Sequence, residues 1–197
     1  MIHLGQYEDK KLESSVTMTK REIITTENPI LRRKAKKVTK ITPELRALAD
    51  DMVETMREAP GIGLAAPQVA QSVRLFVAEL EENKELPGSG KTYIVFNPEY
   101  VFKSDELVDG AEGCLSIPGW AGEVTRHEQV VVKGLDKQGK RIRIEAQGLL
   151  ARVFQHEMDH LDGVLFTDRI SDPEKIWPIQ EGEEESVEIK HVRVAAA

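Results

Sequence analysis

Residues 156–160 read His-Glu-Met-Asp-His, and the chain holds a single cysteine, Cys114. On a helix, His156 and His160 stand one turn apart on one face, so both rings can reach one cation. Glu157, between them, can address a water beside that cation as general base. This is the chemistry of a metal-dependent hydrolase, provided the rest of the chain supplies a third ligand and a place for the substrate.

Two histidines leave a metal under-coordinated. The extended protease motif His-Glu-x-x-His-x-x-Gly-x-x-His matches through Gly163 but meets Phe166 where its last histidine would stand. A later glutamate such as Glu174 lies in Pro-containing, poorly helical sequence. Cys114 is the better third ligand. A thiolate with two neutral imidazoles leaves a divalent ion a formal charge of about +1 and one open position. A lone cysteine is otherwise read as a buried, inert thiol; the histidine pair shifts that reading toward ligation. Gly113 permits close backbone approach before Cys114, and the Leu115 N–H can point at a developing oxyanion. A third segment, Gly61-Ile62-Gly63-Leu64-Ala65-Ala66-Pro67-Gln68, suits a wall where backbone runs close to a substrate. The Gln68 amide can donate to an oxyanion there. A turn packed tightly against the core explains the same residues equally well.

These side chains need elements to hold them. The spacing of Leu149, Leu150, Val153, Phe154 and Leu161 predicts a helix from about Gly148 to Leu161, stopped at Asp162-Gly163. Thr42-Pro43-Glu44 predicts the start of another helix, ended by Ala59-Pro60-Gly61. Strands are expected at residues 73–79 and 92–96, and a hairpin at 129–135 and 140–145 turning at Asp136–Gly139. The resulting fold class is α+β: mostly antiparallel sheets around a central, metal-carrying helix. Residues 1–20 read as a flexible extension, 21–180 as the catalytic domain and 181–197 as an acidic tail whose Val and Ile content favours a terminal strand.

A net charge of −7 over 197 residues argues against general nucleic-acid binding. No apolar run approaches the roughly 18–20 residues of a membrane span. The first residues lack a secretory signal, and a single cysteine excludes an internal disulfide, so a cytoplasmic location is expected. His3 and His191 read as solvated, and His127 as a surface or hydrogen-bonded residue. Trp120 either lines a pocket or packs.

GIGLAAPQ, EGCLS and QHEMDH, in this order and at these separations, resemble the three signature motifs of peptide deformylase. The resemblance covers about residues 22–170. It implies metal ligands at Cys114, His156 and His160, an acid/base at Glu157, oxyanion donors at Gln68 and the Leu115 N–H, and a substrate-lining backbone at Gly63. It implies an Fe(II) enzyme whose site also accepts nickel, cobalt or zinc. Its implied substrates are N-formylmethionyl peptides, cleaved to formate and a free amine. Many members have an arginine where this chain has Ala121, which touches peptide recognition rather than hydrolysis; Arg126 matches a recurring arginine. Ribosome association, which some members achieve through a C-terminal helix, is not carried over to this strand-like, acidic tail. The rival expectations are a metallopeptidase and a non-enzymatic, thiol-ligated metal-binding domain.

Overall fold

Thr42 caps the first α-helix, α1 (Pro43–Glu58), its hydroxyl accepting the Leu45 N–H at 3.4 Å. Pro43 suits the first turn because its missing N–H would have had no helical partner. In this computed structural model the described residues are 19–179, with the backbone of three short strands at 188–189, 192–193 and 195–196. The expected extension therefore lies outside the described residues up to residue 18, as do His3, His191 and the acidic run 181–185. Thr19 is already docked on α1, its N–H donating to Asp51 at 2.8 Å.

Eight strands and two α-helices build the described domain through residue 179: β1 (Gly63–Ala65), β2 (Leu75–Glu79), β3 (Thr92–Lys103), β4 (Leu107–Cys114), β5 (Ile117–His127), β6 (Gln129–Leu135), β7 (Arg141–Gln147), α2 (Gly148–Asp162) and β8 (Ile176–Pro178) besides α1, with β9 beginning beyond it at Glu188–Ile189. One antiparallel sheet has the order β1-β2-β3-β6-β7, and β4, β5 and β8 pair antiparallel in a second. Alternation along β2 shows how the first sheet is used. Leu75 and Val77 face α1 with Met52 and Met56, whereas Phe76 and Ala78 face α2 with Phe154 and Met158. Both faces are covered, so the strand reads as a continuous apolar run. Phe154 anchors its side, with ring centroids 5.1 Å from Phe76 and 5.4 Å from Tyr93.

Helix α2 packs against strands of both sheets, and every residue from Leu150 to Leu161 is buried. Gly163 ends it in the left-handed region at φ 78°. A Cβ there would sit 2.9 Å from the Arg32 carbonyl, so both conformation and space require glycine. The fold is α+β, as expected.

Three features differ from the sequence expectation. The strand expected at 73–79 begins at Leu75, with Val73 forming only an isolated bridge to Lys36. Strand β3 runs past Asn97-Pro98 through a bulge instead of stopping at residue 96. Asn97 takes φ 50° and uses its amide to bond both the N–H and the carbonyl of Val38. The long hairpin β4–β5 was not anticipated at all. Its charged residues and glycines have low strand propensity, and pairing with neighbours overrides that preference. Beyond residue 179, β9 (Glu188–Ile189) pairs antiparallel with β10 (Val192–Arg193), and β11 (Ala195–Ala196) lies parallel to Glu112–Gly113 of β4.

Candidate metal centre

Three elements distant in sequence converge on the buried face of α2. The helix brings His156 Nε2 within 3.2 Å of His160 Nε2, and the end of β4 brings Cys114 Sγ within 3.3 Å of His160 Nε2. The donor atoms of Cys114, His156 and His160 all lie within 4.8 Å of one another, and all three residues are buried. Phe166, where a third histidine might have stood, stacks on His156 with centroids 6.2 Å apart and packs beside Cys114. That position supplies an apolar wall, and the third member of the donor cluster is the Cys114 sulfur.

The third element is the turn Ala66–Val69. Gln68 is fully buried, and its Oε1 accepts the Ala65 N–H at 2.8 Å. This bond fixes the amide so that Nε2 faces Cys114 Sγ at 3.6 Å and Ser116 Oγ at 3.4 Å. Leu115 occupies the tight turn between Cys114 and Ile117. Gly63 lies on β1, the edge strand of its sheet. The Glu79 N–H donates to the Ile62 carbonyl at 3.0 Å, so antiparallel alternation directs the Gly63 N–H and C=O away from β2. An extended peptide could pair there.

Glu157 is fully buried, and neither carboxylate oxygen has a hydrogen-bond partner among the described residues. Burial, and then the charge on Glu112, push its carboxyl well above the ordinary range. Burial, followed by His156, holds the His160 ring well below the ordinary histidine value, so it is neutral. Burial pushes the Cys114 thiol up to about 12, opposed by backbone hydrogen bonds from Ser116 and Ile117 that favour the thiolate.

Around these groups runs an ion network that the sequence reading did not assign. Glu112 accepts two bonds from Arg126, both at 2.8 Å, one from Arg152 at 2.9 Å and one from His156 Nδ1 at 2.9 Å. Burial works to raise the Glu112 carboxyl, but Arg126 and then His156 outweigh it and hold it below the usual range. Asp159 joins Arg126 at 2.6 Å to Arg169 at 2.5 Å. Spacing could have revealed part of this. Arg152 precedes His156 by one helical turn, and Glu112 precedes Cys114 by two strand positions. A cleft of about 420 Å³ opens beside the network, lined by Gly110, Arg126, Leu149 and Arg152 among others.

His127 is hydrogen-bonded through Nδ1 to the Ser104 carbonyl at 2.6 Å and lies outside the donor cluster. Ala121 is buried in β5 between Gly113 and Trp177. Trp120, beside it, is 45% exposed and so is not a core residue.

Residues 20–176 match the family model for polypeptide deformylase. A peptide deformylase of Symbiobacterium thermophilum is 50% identical over 173 residues, covering 87% of this chain and 76% of the relative. The crystal structure of peptide deformylase from Ehrlichia chaffeensis aligns with TM-score 0.76 and 37% identity, covering 80% of this chain and 91% of that one. The Met-Ala-Ser-bound class I type b peptide deformylase of Acinetobacter baumannii aligns with TM-score 0.73 and 38% identity, covering 78% of this chain and all of that one (100%).

Proposed function

The chain belongs to the peptide deformylase family, and from that premise we propose that Cys114, His156 and His160 hold one divalent ion with Glu157 as acid/base. As a deformylase it is a metal-dependent hydrolase that removes the N-formyl group from the initiator methionine of new polypeptides and releases formate. The observation that carries the residue assignment is the convergence of three buried donors beside a buried carboxylate with no partner of its own.

The donor set fits a cation. His156 donates its Nδ1–H to Glu112, and the neutral ring that a metal requires then presents its lone pair on Nε2. His160 Nε2 meets both that lone pair and the Cys114 sulfur. One sulfur and two imidazole nitrogens, buried and within 4.8 Å of one another, form a donor set that suits a divalent cation. When bound, a divalent ion supplies Lewis-acid polarisation and makes water acidic enough to ionise near neutrality. Glu157 takes a proton from the attacking water as the water oxygen bonds to the formyl carbon. Gln68 Nε2 and the Leu115 N–H donate to the oxyanion that develops on the formyl oxygen. Glu157 returns the proton to the leaving nitrogen as the C–N bond breaks, giving formate and a free amine. The free edge of β1 at Gly63 receives the peptide backbone.

We propose Fe(II) as the resident ion, with nickel, cobalt or zinc able to replace it at a sulfur–nitrogen site. The catalytic domain spans residues 21–180, and a reducing cytoplasm suits its single, unpaired Cys114. Among the described residues no helix is long and apolar enough to cross a membrane. Ribosome association forms no part of the proposal.

The test is formate release from formyl-Met-Ala-Ser by anaerobically prepared, Fe(II)-loaded protein, with acetyl-Met-Ala-Ser as control. Release from the formyl peptide alone is expected. No release from metal-loaded protein, or cleavage within the peptide, would sink the proposal.

A further inference from the structure

We propose that Glu112 is a positioning residue that acts through His156: held by Arg126 and Arg152, it fixes the ring's tautomer and aim so that Nε2 serves the metal. This rests on the ligand assignment above and assigns a role to a carboxylate outside the donor cluster.

The geometry leaves little freedom. An ionised carboxylate offers about four acceptor sites and no donor. Glu112 Oε1 accepts from Arg126 Nε at 2.8 Å and Arg152 Nη1 at 2.9 Å. Its Oε2 accepts from Arg126 Nη2 at 2.8 Å and His156 Nδ1 at 2.9 Å. All four sites are filled, so the carboxylate can neither rotate nor offer a proton. The hydrogen on that contact must belong to His156 Nδ1, so in the neutral ring the lone pair is on Nε2, 3.2 Å from His160 Nε2. A ligating histidine whose other nitrogen donates to a carboxylate is oriented and made more basic.

The two arginines are themselves fixed. Arg126 Nη1 bonds Asp159 at 2.6 Å. Arg152 donates to the carbonyls of Val124 at 2.8 Å, Gly110 at 3.2 Å and Val108 at 2.8 Å. Its approach needs Gly110, where a Cβ would lie 2.7 Å from Arg152 Nη2. A glycine on β4, an arginine on α2 and an arginine on β5 thus converge on one carboxylate that touches one ligand. Such an arrangement fixes geometry more tightly than a lone hydrogen bond to solvent would.

The experiment has three arms. In zinc-loaded wild-type protein, ¹⁵N NMR of the histidine rings should show His156 protonated on Nδ1 and ligating through Nε2; the opposite tautomer overturns the proposal without any mutation. In Co(II)-loaded protein, Glu112→Asp keeps a charge for the arginines but shortens the reach to His156, and Glu112→Gln keeps the reach but removes the charge. Release of cobalt to a chelator should be about 10–100-fold faster in the variants, with shifted visible absorption bands. Wild-type release rates and spectra in a variant that retains the wild-type circular dichroism would overturn it. Formate release by wild-type protein is read separately. A protein that binds metal with the stated tautomer but releases no formate refutes the deformylase assignment and leaves this one standing.

Discussion

Gly63 is the position at which one methyl group tests the catalytic geometry. A Cβ added there would lie 2.4 Å from Glu157 Oε1, 2.9 Å from its Cδ and 3.0 Å from Val153 Cγ1. Ordinary van der Waals contact begins at 3.4 Å, so in Gly63→Ala the Glu157 oxygen must retreat by about 1 Å. The carboxylate is the end of a flexible side chain, and it yields more easily than the helix backbone or Val153. A displacement of this size at a proton-transferring group costs about 100-fold in rate, or about 2.7 kcal/mol in the barrier. The nearest atoms belong to Glu157 and Val153 and not to a metal ligand, so metal content should remain at wild-type level. Overpacking should cost about 1–3 kcal/mol of stability, since Val153 is also crowded. The assay is formate release from a formyl-methionyl peptide, read with metal analysis and denaturant unfolding. A kcat within threefold of wild type would show that β1 moves instead of Glu157, and loss of metal would show that the methyl group reaches the ligands; either result refutes the reasoning.

Other substitutions separate chemistry from scaffold. Glu157→Gln should keep its metal and lose about 10²–10⁴-fold in kcat; metal loss, or near-normal turnover, would contradict an acid/base role. The same variant gives a pH signature in the metal-free protein. The folded-state pKa of Glu157 is raised above its ordinary value of 4.5, so the folded state holds a proton that the unfolded chain releases first. That contribution is fully present below about pH 4.5 and is lost as pH rises through the raised value. Denaturant unfolding should therefore show wild type and Glu157→Gln diverging as pH rises, with wild type falling behind; parallel curves would count against it. Phe154→Ala should destabilise the fold by about 3–5 kcal/mol through the cavity left against Phe76 and Tyr93; equilibrium unfolding measures this, and a loss below 1 kcal/mol would mean the core collapses to fill it.

The parts of the fold that were legible in the sequence are those specified locally. Thr42 before Pro43, the apolar spacing on α2 and Gly163 after it are short-range signals, and the structure follows them. The hairpin β4–β5 was not legible, because what makes those residues strands is their partners across the sheet. The site divides in the same way. His156, Glu157 and His160 share one helix, so their spacing states their relation, and Cys114 was found because there is only one. Glu112 stands two residues before Cys114, yet its meaning depends on Arg126 and Arg152 arriving from two other elements. Local spacing cannot report a contact made only in three dimensions.

The separation of Cys114 from the histidines has a consequence for how the centre assembles. Cys114 and His160 are 46 positions apart in sequence, and in an unfolded chain an ion joining them must close a loop at a cost on the order of 3 kcal/mol. The folded domain meets that cost before any ion arrives, by docking one hairpin against one helix. The two rings travel together on α2, whose contacts are local, whereas the sulfur arrives only when β4 seats against it. On the proposed ligation, escape of the ion is expected to follow undocking of that hairpin, so that its residence time would report a motion of the backbone far larger than any bond to the ion itself.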